Sequence, residues 1–168
     1  MLYEKEGLNT LNNTVVKTIP YAQLSDIEKI SKNWNKTLGL YNRREYSNAV
    51  VRCCTCLELG TNYAIRQEFA EYGLPIDVVN KLLRNSNGLS HKYNKLYLPL
   101  IQRWDHFEAH KKLWRPISKI NLVRNNIVHG GEFKNKKTAS NALKGAYRIL
   151  DSLLEYCEPR IRLKEPSL

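Results

Sequence analysis

Acid is scarce in this chain. Against 27 Lys+Arg stand only 16 Asp+Glu, a formal net charge of +11 over 168 residues. That imbalance favours an anionic partner, with nucleic acid ahead of a membrane surface. No apolar run is long enough to span a bilayer and no secretory signal is present, so the expectation is a cytoplasmic protein with no membrane partner and reduced thiols. Strict period-two alternation is absent throughout, which argues against a sheet. Internal repeats, low-complexity segments and a glycine-rich phosphate loop are also missing. Of four cysteines, Cys53, Cys54 and Cys56 crowd into four positions, and Cys157 stands alone. No second pair has zinc-site spacing, so Cys53 and Cys157 read as small core residues on apolar stripes.

What remains is helical periodicity in one domain of sufficient size to bury a core. Residues 1–19, rich in Asn and Thr, read as an irregular N-terminal arm. Pro20 opens a helix through about Leu38, with Leu24, Ile27 and Ile30 on one face and Gly39 closing it. The longest segment runs from about Arg43 to Tyr72, carrying Tyr46, Val50, Cys53, Leu57, Ala64 and Ile65 at helical spacing. Gly60 interrupts it, which costs about 1 kcal/mol against alanine, so either a partner helix comes close or the helix bends. A short helix spans Pro75 to Arg84, residues 85–88 form a turn, and residues 89–98 are helical until Pro99 breaks them. Another short helix covers Asp105–Trp114, and Pro116 starts a further one that Gly130-Gly131 stops. The last helix spans Thr138–Cys157, with Leu143, Ala146, Ile149, Leu150, Leu153 and Leu154 inward. Residues 158–168 form a basic C-terminal tail. The fold class is all-α: a helical bundle of two long helices and several shorter ones.

The chemistry concentrates at Arg124-Asn125-Asn126-Ile127-Val128-His129-Gly130-Gly131. On a helix from Pro116, Ile117, Ile120 and Ile127 form a stripe whose vacant slot is position 124. Arg124 therefore points inward, where a guanidinium needs a partner. Two readings stand: a carboxylate of the long helix, with Glu58 the best placed, or a phosphate received through the planar fork. His129 projects about 140° around the helix from Arg124. It shares a flank with Asn125, which is placed to hydrogen-bond the imidazole. Spacing alone distinguishes little, because Arg84–His91 and Arg103–His110 have nearly the same separation. Setting is what singles out Arg124–His129.

This stretch resembles the Arg-polar-x-x-x-His signature of HEPN domains. These are all-α domains, many of them metal-independent endoribonucleases of toxin–antitoxin, abortive-infection and CRISPR systems. The resemblance extends over residues 40–157: a long helix with an inward acid (Glu58), the motif near a helix end, then a final long helix. It implies a homodimer with a composite active site. Arg124 would hold the scissile phosphate, and His129 would move protons with Asn125 in support. The 2′-hydroxyl of RNA would attack, leaving a 2′,3′-cyclic phosphate and a 5′-hydroxyl. It also implies an antitoxin or regulatory protein as a second partner. Some HEPN toxins carry a modifiable tyrosine two residues after the histidine. Gly131 stands there in this chain, so the resemblance does not reach that form of control. Other HEPN domains keep the fold without catalysis, so the alternative is a helical domain binding RNA, a nucleotide or a protein.

Lys134, Lys136, Lys137, Lys144 and Arg148 follow the histidine against one acid, Glu132. They form either an RNA track or a solvated face, and Arg160, Arg162 and Lys164 extend the charge. His106 and His110 are four apart, but with no third ligand neither a metal nor a cofactor is called for. Trp34, Trp104 and Trp114 read as core or interface residues rather than base platforms.

Overall fold

A computed structural model describes residues 19–167. The expected arm at 1–19 therefore lies outside the described residues, apart from Ile19. A 3-10 turn (Tyr21–Gln23) leads to α1 (Asp26–Asn42), α2 (Tyr46–Glu71), α3 (Ile76–Asn85) and α4 (Gly88–His91). A π-type segment (Lys92–Tyr97) runs into α5 (Leu98–Leu100), followed by α6 (Phe107–Gly130) and α7 (Lys136–Cys157). No strand occurs among the described residues, so the molecule is an all-α bundle. Among the described residues, no helix is long and apolar enough to cross a membrane.

α2 is the central post, packed against α1, α7 and α6. Its Ala49, Val50, Cys53, Cys56, Leu57, Ala64 and Ile65 are fully buried. α7 meets it with the six apolar side chains read from the sequence, all buried. Gly60 marks their closest approach. A Cβ there would lie 2.7 Å from Leu150 Cδ2, so close packing, not bending, accounts for the glycine.

Four boundaries differ from expectation. Pro20 opens only the 3-10 turn. The true start of α1 is a capping box at Ser25, whose hydroxyl accepts from the Glu28 N–H (3.2 Å) while Glu28 accepts from the Ser25 N–H (2.8 Å). Such a cap contributes about 1 kcal/mol. Gly39 lies inside α1, which ends at Asn42, and the turn is made by Arg44 at φ 64°. Pro116 does not start a helix: α6 runs straight through it. The proline deprives the Lys112 carbonyl of its helical donor, and Lys112 is exposed, so water is available to it. Buried His110, Ile117 and Ile120 hold both halves to the same body, which offsets a proline cost of about 3 kcal/mol. Pro99 likewise sits in the first turn of α5 rather than ending the helical path before it.

Lys92, Tyr93 and Tyr97 of the π-type segment are all buried. The C-terminal tail is not a free basic strand. Leu163 is buried, the Trp34 indole donates to the Lys164 carbonyl (2.7 Å), and Arg160 pairs with Glu158 (2.9 Å).

Candidate active site

Arg124 is half-buried and faces a polar concavity of about 280 Å³. α2 supplies Val51, Cys54, Thr55 and Glu58, the start of α4 supplies Ser90, and α6 supplies Asn121, Arg124 and Asn125. Asn121, Arg124 and Asn125 face one way because they are three and four residues apart. Asn121 donates to the Ser90 hydroxyl (3.1 Å), tying α6 to α4. The slot in the apolar stripe thus opens onto a cleft rather than the core.

Glu58 lines the same concavity, but its partner is Lys92. The Lys92 ammonium donates to Glu58 Oε1 at 2.7 Å, and the lysine side chain is 8 % exposed. Of the two readings for Arg124, pairing with the Glu58 carboxylate is therefore the one that fails. The π-type segment carries a lysine across to α2 and satisfies the carboxylate first. Arg124 instead donates from Nη1 to Asn125 Oδ1 (3.0 Å), and it forms no ion pair with an acid among the described residues. This also corrects the expected role of Asn125: its carbonyl oxygen orients the arginine, not His129. Cys54 sits in the floor. Burial pushes its thiol up to about 12, although Arg124 nearby acts the other way. It is protonated at neutral pH and is not a nucleophile.

His129 lies one turn beyond Asn125, exposed, and does not line the concavity. Gly131 at φ 65° ends the helix, and its N–H bonds the Asn126 carbonyl. One chain therefore offers Arg124 in a cleft and His129 outside it.

None of the five basic residues after the motif lines the Arg124 concavity. Lys134 is not a free cation: it pairs with Glu132, and its N–H bonds the Ser47 hydroxyl (2.8 Å), pinning the loop to α2. Lys136 is exposed in the first turn of α7. Lys137, Lys144 and Arg148 repeat at seven and four residues along the outward stripe of α7.

His110, read from the sequence as one of a metal-like pair, is buried in an aromatic cluster. Hydrogen bonds join its Nδ1 to Tyr97 Oη (2.7 Å) and its Nε2 to Ser152 Oγ (3.4 Å), and Tyr93 Oη donates to its carbonyl (2.8 Å). Both ring nitrogens are occupied. Burial, with His106 beside it, lowers its pKa to about 4, so the ring is neutral. The Tyr156 ring lies against His106, with centroids 3.7 Å apart and planes tilted by 37°. Trp34 is a core residue and Trp104 donates to the buried Glu68 (2.9 Å), in keeping with structural tryptophans.

Compared with protein-family models, curated proteins and solved structures, the chain finds no match.

Proposed function

We propose that the protein is a metal-independent endoribonuclease of HEPN type that acts as a homodimer on RNA. The carrying observation is Arg124. It is aimed into a polar cleft by Asn125 and left without an acidic partner among the described residues, with His129 exposed one turn further along the same helix. A guanidinium so held suits a phosphate. A histidine can take the 2′-hydroxyl proton and return one to the departing 5′-oxygen, and two copies can divide those tasks.

The dimer reading rests on the outer face of α6. Leu122 is 61 % exposed and stands seven residues before His129, hence on the same face, with Asn125 and Asn126 beside it. Val128 and Phe133 are exposed nearby. The reading requires that pairing two copies through that face bring each His129 toward the partner's Arg124 cleft. A regulatory protein such as an antitoxin would act by covering the same face.

The test is incubation of the full chain with single-stranded RNA in EDTA. Cleavage leaving 2′,3′-cyclic phosphate ends, lost in His129→Ala, is expected. No cleavage by the parent, or equal cleavage by the variant, ends the proposal. The position of His129 outside the cleft of its own chain favours a second reading, a non-catalytic domain of the same fold that binds RNA, a nucleotide or a protein. RNA binding without any cleavage would select it.

A further inference from the structure

A second concavity, of about 330 Å³, lies between α1 and α2, lined by Tyr21, Lys32, Asn33, Lys36, Arg52 and Thr55. Thr55 also lines the Arg124 cleft, so the two are neighbours on the surface of α2. Three cations converge there and no acid lines it. None of the three forms an ion pair among the described residues. Of the three, Arg52 alone has a hydrogen-bond partner among the described residues, and that partner is a neutral amide. Asn33, 5 % exposed, accepts from Arg52 Nη1 (3.1 Å), while its Nδ2 donates to Tyr21 Oη (2.8 Å) and the Lys29 carbonyl (2.7 Å). That hub holds a guanidinium and an aromatic ring together, with Tyr21 half exposed at the rim. Lys32 and Lys36, four apart on α1, overhang from the other side.

The concavity on the opposite side of Glu58 differs. It contains Arg66, Arg84 and Lys92, but Lys92 is matched by Glu58 and Arg66 by Asp26 (2.9 Å), which leaves Arg84 alone without an ion pair among the described residues. The outward stripe of α7 has free charge but reaches neither cleft. Uncompensated cations adjoining the Arg124 cleft, beside an aromatic platform, are found at Lys32, Lys36 and Arg52.

We infer that this α1–α2 concavity is a nucleotide subsite. It takes the phosphate next to the one at Arg124 on Lys32, Lys36 and Arg52, and the attached base stacks on Tyr21. A single strand of nucleic acid passes from the Arg124 cleft across Thr55 into it, instead of along α7. The inference rests on the proposed RNA substrate, but binding and cleavage are read separately. Uncompensated cations release counterions when they meet phosphates, and aromatic rings hold bases without regard to sequence.

The probe is a labelled 2′-O-methyl RNA of about eight nucleotides, within the usual range of single-strand site sizes. It lacks the attacking hydroxyl, so anisotropy reports binding alone, in EDTA across a salt series. Lys32→Gln/Lys36→Gln/Arg52→Gln is expected to weaken binding about tenfold or more, and to reduce the log–log salt slope by roughly 2. Because Arg52 is tied to Asn33, the exposed pair Lys32→Gln/Lys36→Gln serves as a variant that leaves packing intact, with a loss of about fivefold. Tyr21→Leu should cost about fivefold through the lost stack. Lys137→Gln/Lys144→Gln/Arg148→Gln should stay within about twofold. Parental affinity in both lysine variants, a larger loss on α7, or no binding by the parent overturns the subsite. If the parent cleaves unmodified RNA while the lysine variants bind normally, the nuclease stands and the subsite falls. Weakened binding in the variants with no cleavage by the parent means the reverse.

Discussion

Two arginine–histidine pairs of similar spacing, Arg103–His110 and Arg124–His129, sit at opposite ends of α6 and have opposite fates. Arg103 lies over the rings of Tyr72 and Trp104 (4.4 and 4.7 Å), and His110 is sealed among Tyr93, Tyr97 and Ser152. Arg124 faces a polar cleft, and His129 is exposed beyond it. Near the amino end of α6, His110 turns inward and is buried, whereas at the carboxyl end Val128, His129 and Gly130 are exposed. Burial decides chemistry here. A neutral imidazole with both nitrogens engaged holds structure together, whereas an open one is available to move protons.

The comparison can be broken most sharply by exchanging the consequences. His129→Ala is expected to lower the cleavage rate by about 10³-fold, the scale of general acid–base catalysis, with the melting temperature unchanged. A rate within a few fold of the parent in single-turnover assays would erase the distinction. At the other end the expected effect is on folding. His110 has its pKa lowered from 6.5 to about 4, so the unfolded chain binds a proton more readily than the fold does. Its contribution is intact above pH 6.5, is lost progressively as pH falls toward 4, and amounts to about 3 kcal/mol. Urea titrations across that window should show the slope, and His110→Gln should flatten it. Arg124→Lys keeps the charge and loses the planar fork. A fall on the order of 10²-fold in kcat/KM, with stability preserved, marks Arg124 as a phosphate ligand rather than a structural cation. The smallest expected change is Arg103→Gln, about 1 kcal/mol of stability from the lost ring contacts, and no change in cleavage per folded molecule.

The bundle was largely legible in the pattern of apolar residues. The inward face of α7 is the one its spacing describes, and of the two readings Gly60 allowed, close approach of a partner helix is the one that holds. The boundaries were less so. Ser25-Asp26-Ile27-Glu28 is a capping box readable in the sequence, yet Pro20 drew the helix start instead. Pro116 has a strong local preference against the helix interior, and packing on both of its sides overrides it.

Of the site, the residue types and the slot that Arg124 fills in the apolar stripe were legible, but not that the slot opens onto a cleft, nor which partner the arginine takes. Pairing Glu58 with Arg124 matched the nearest opposite charges on two long helices. The lysine that takes Glu58 comes from a π-type segment whose register no propensity announces. Lys32, Lys36 and Arg52 are spread over twenty-one positions on two helices, so nothing along the chain marks them as a group.

By itself, the sequence determined the all-α class, the buried faces of α2 and α7, and the surplus of positive charge, because each follows from local periodicity or composition. Only the tertiary structure decided which histidine is sealed, which carboxylate is already paired and which cations converge. Those outcomes depend on distances between helices and on competition for partners across them, and a linear pattern carries neither.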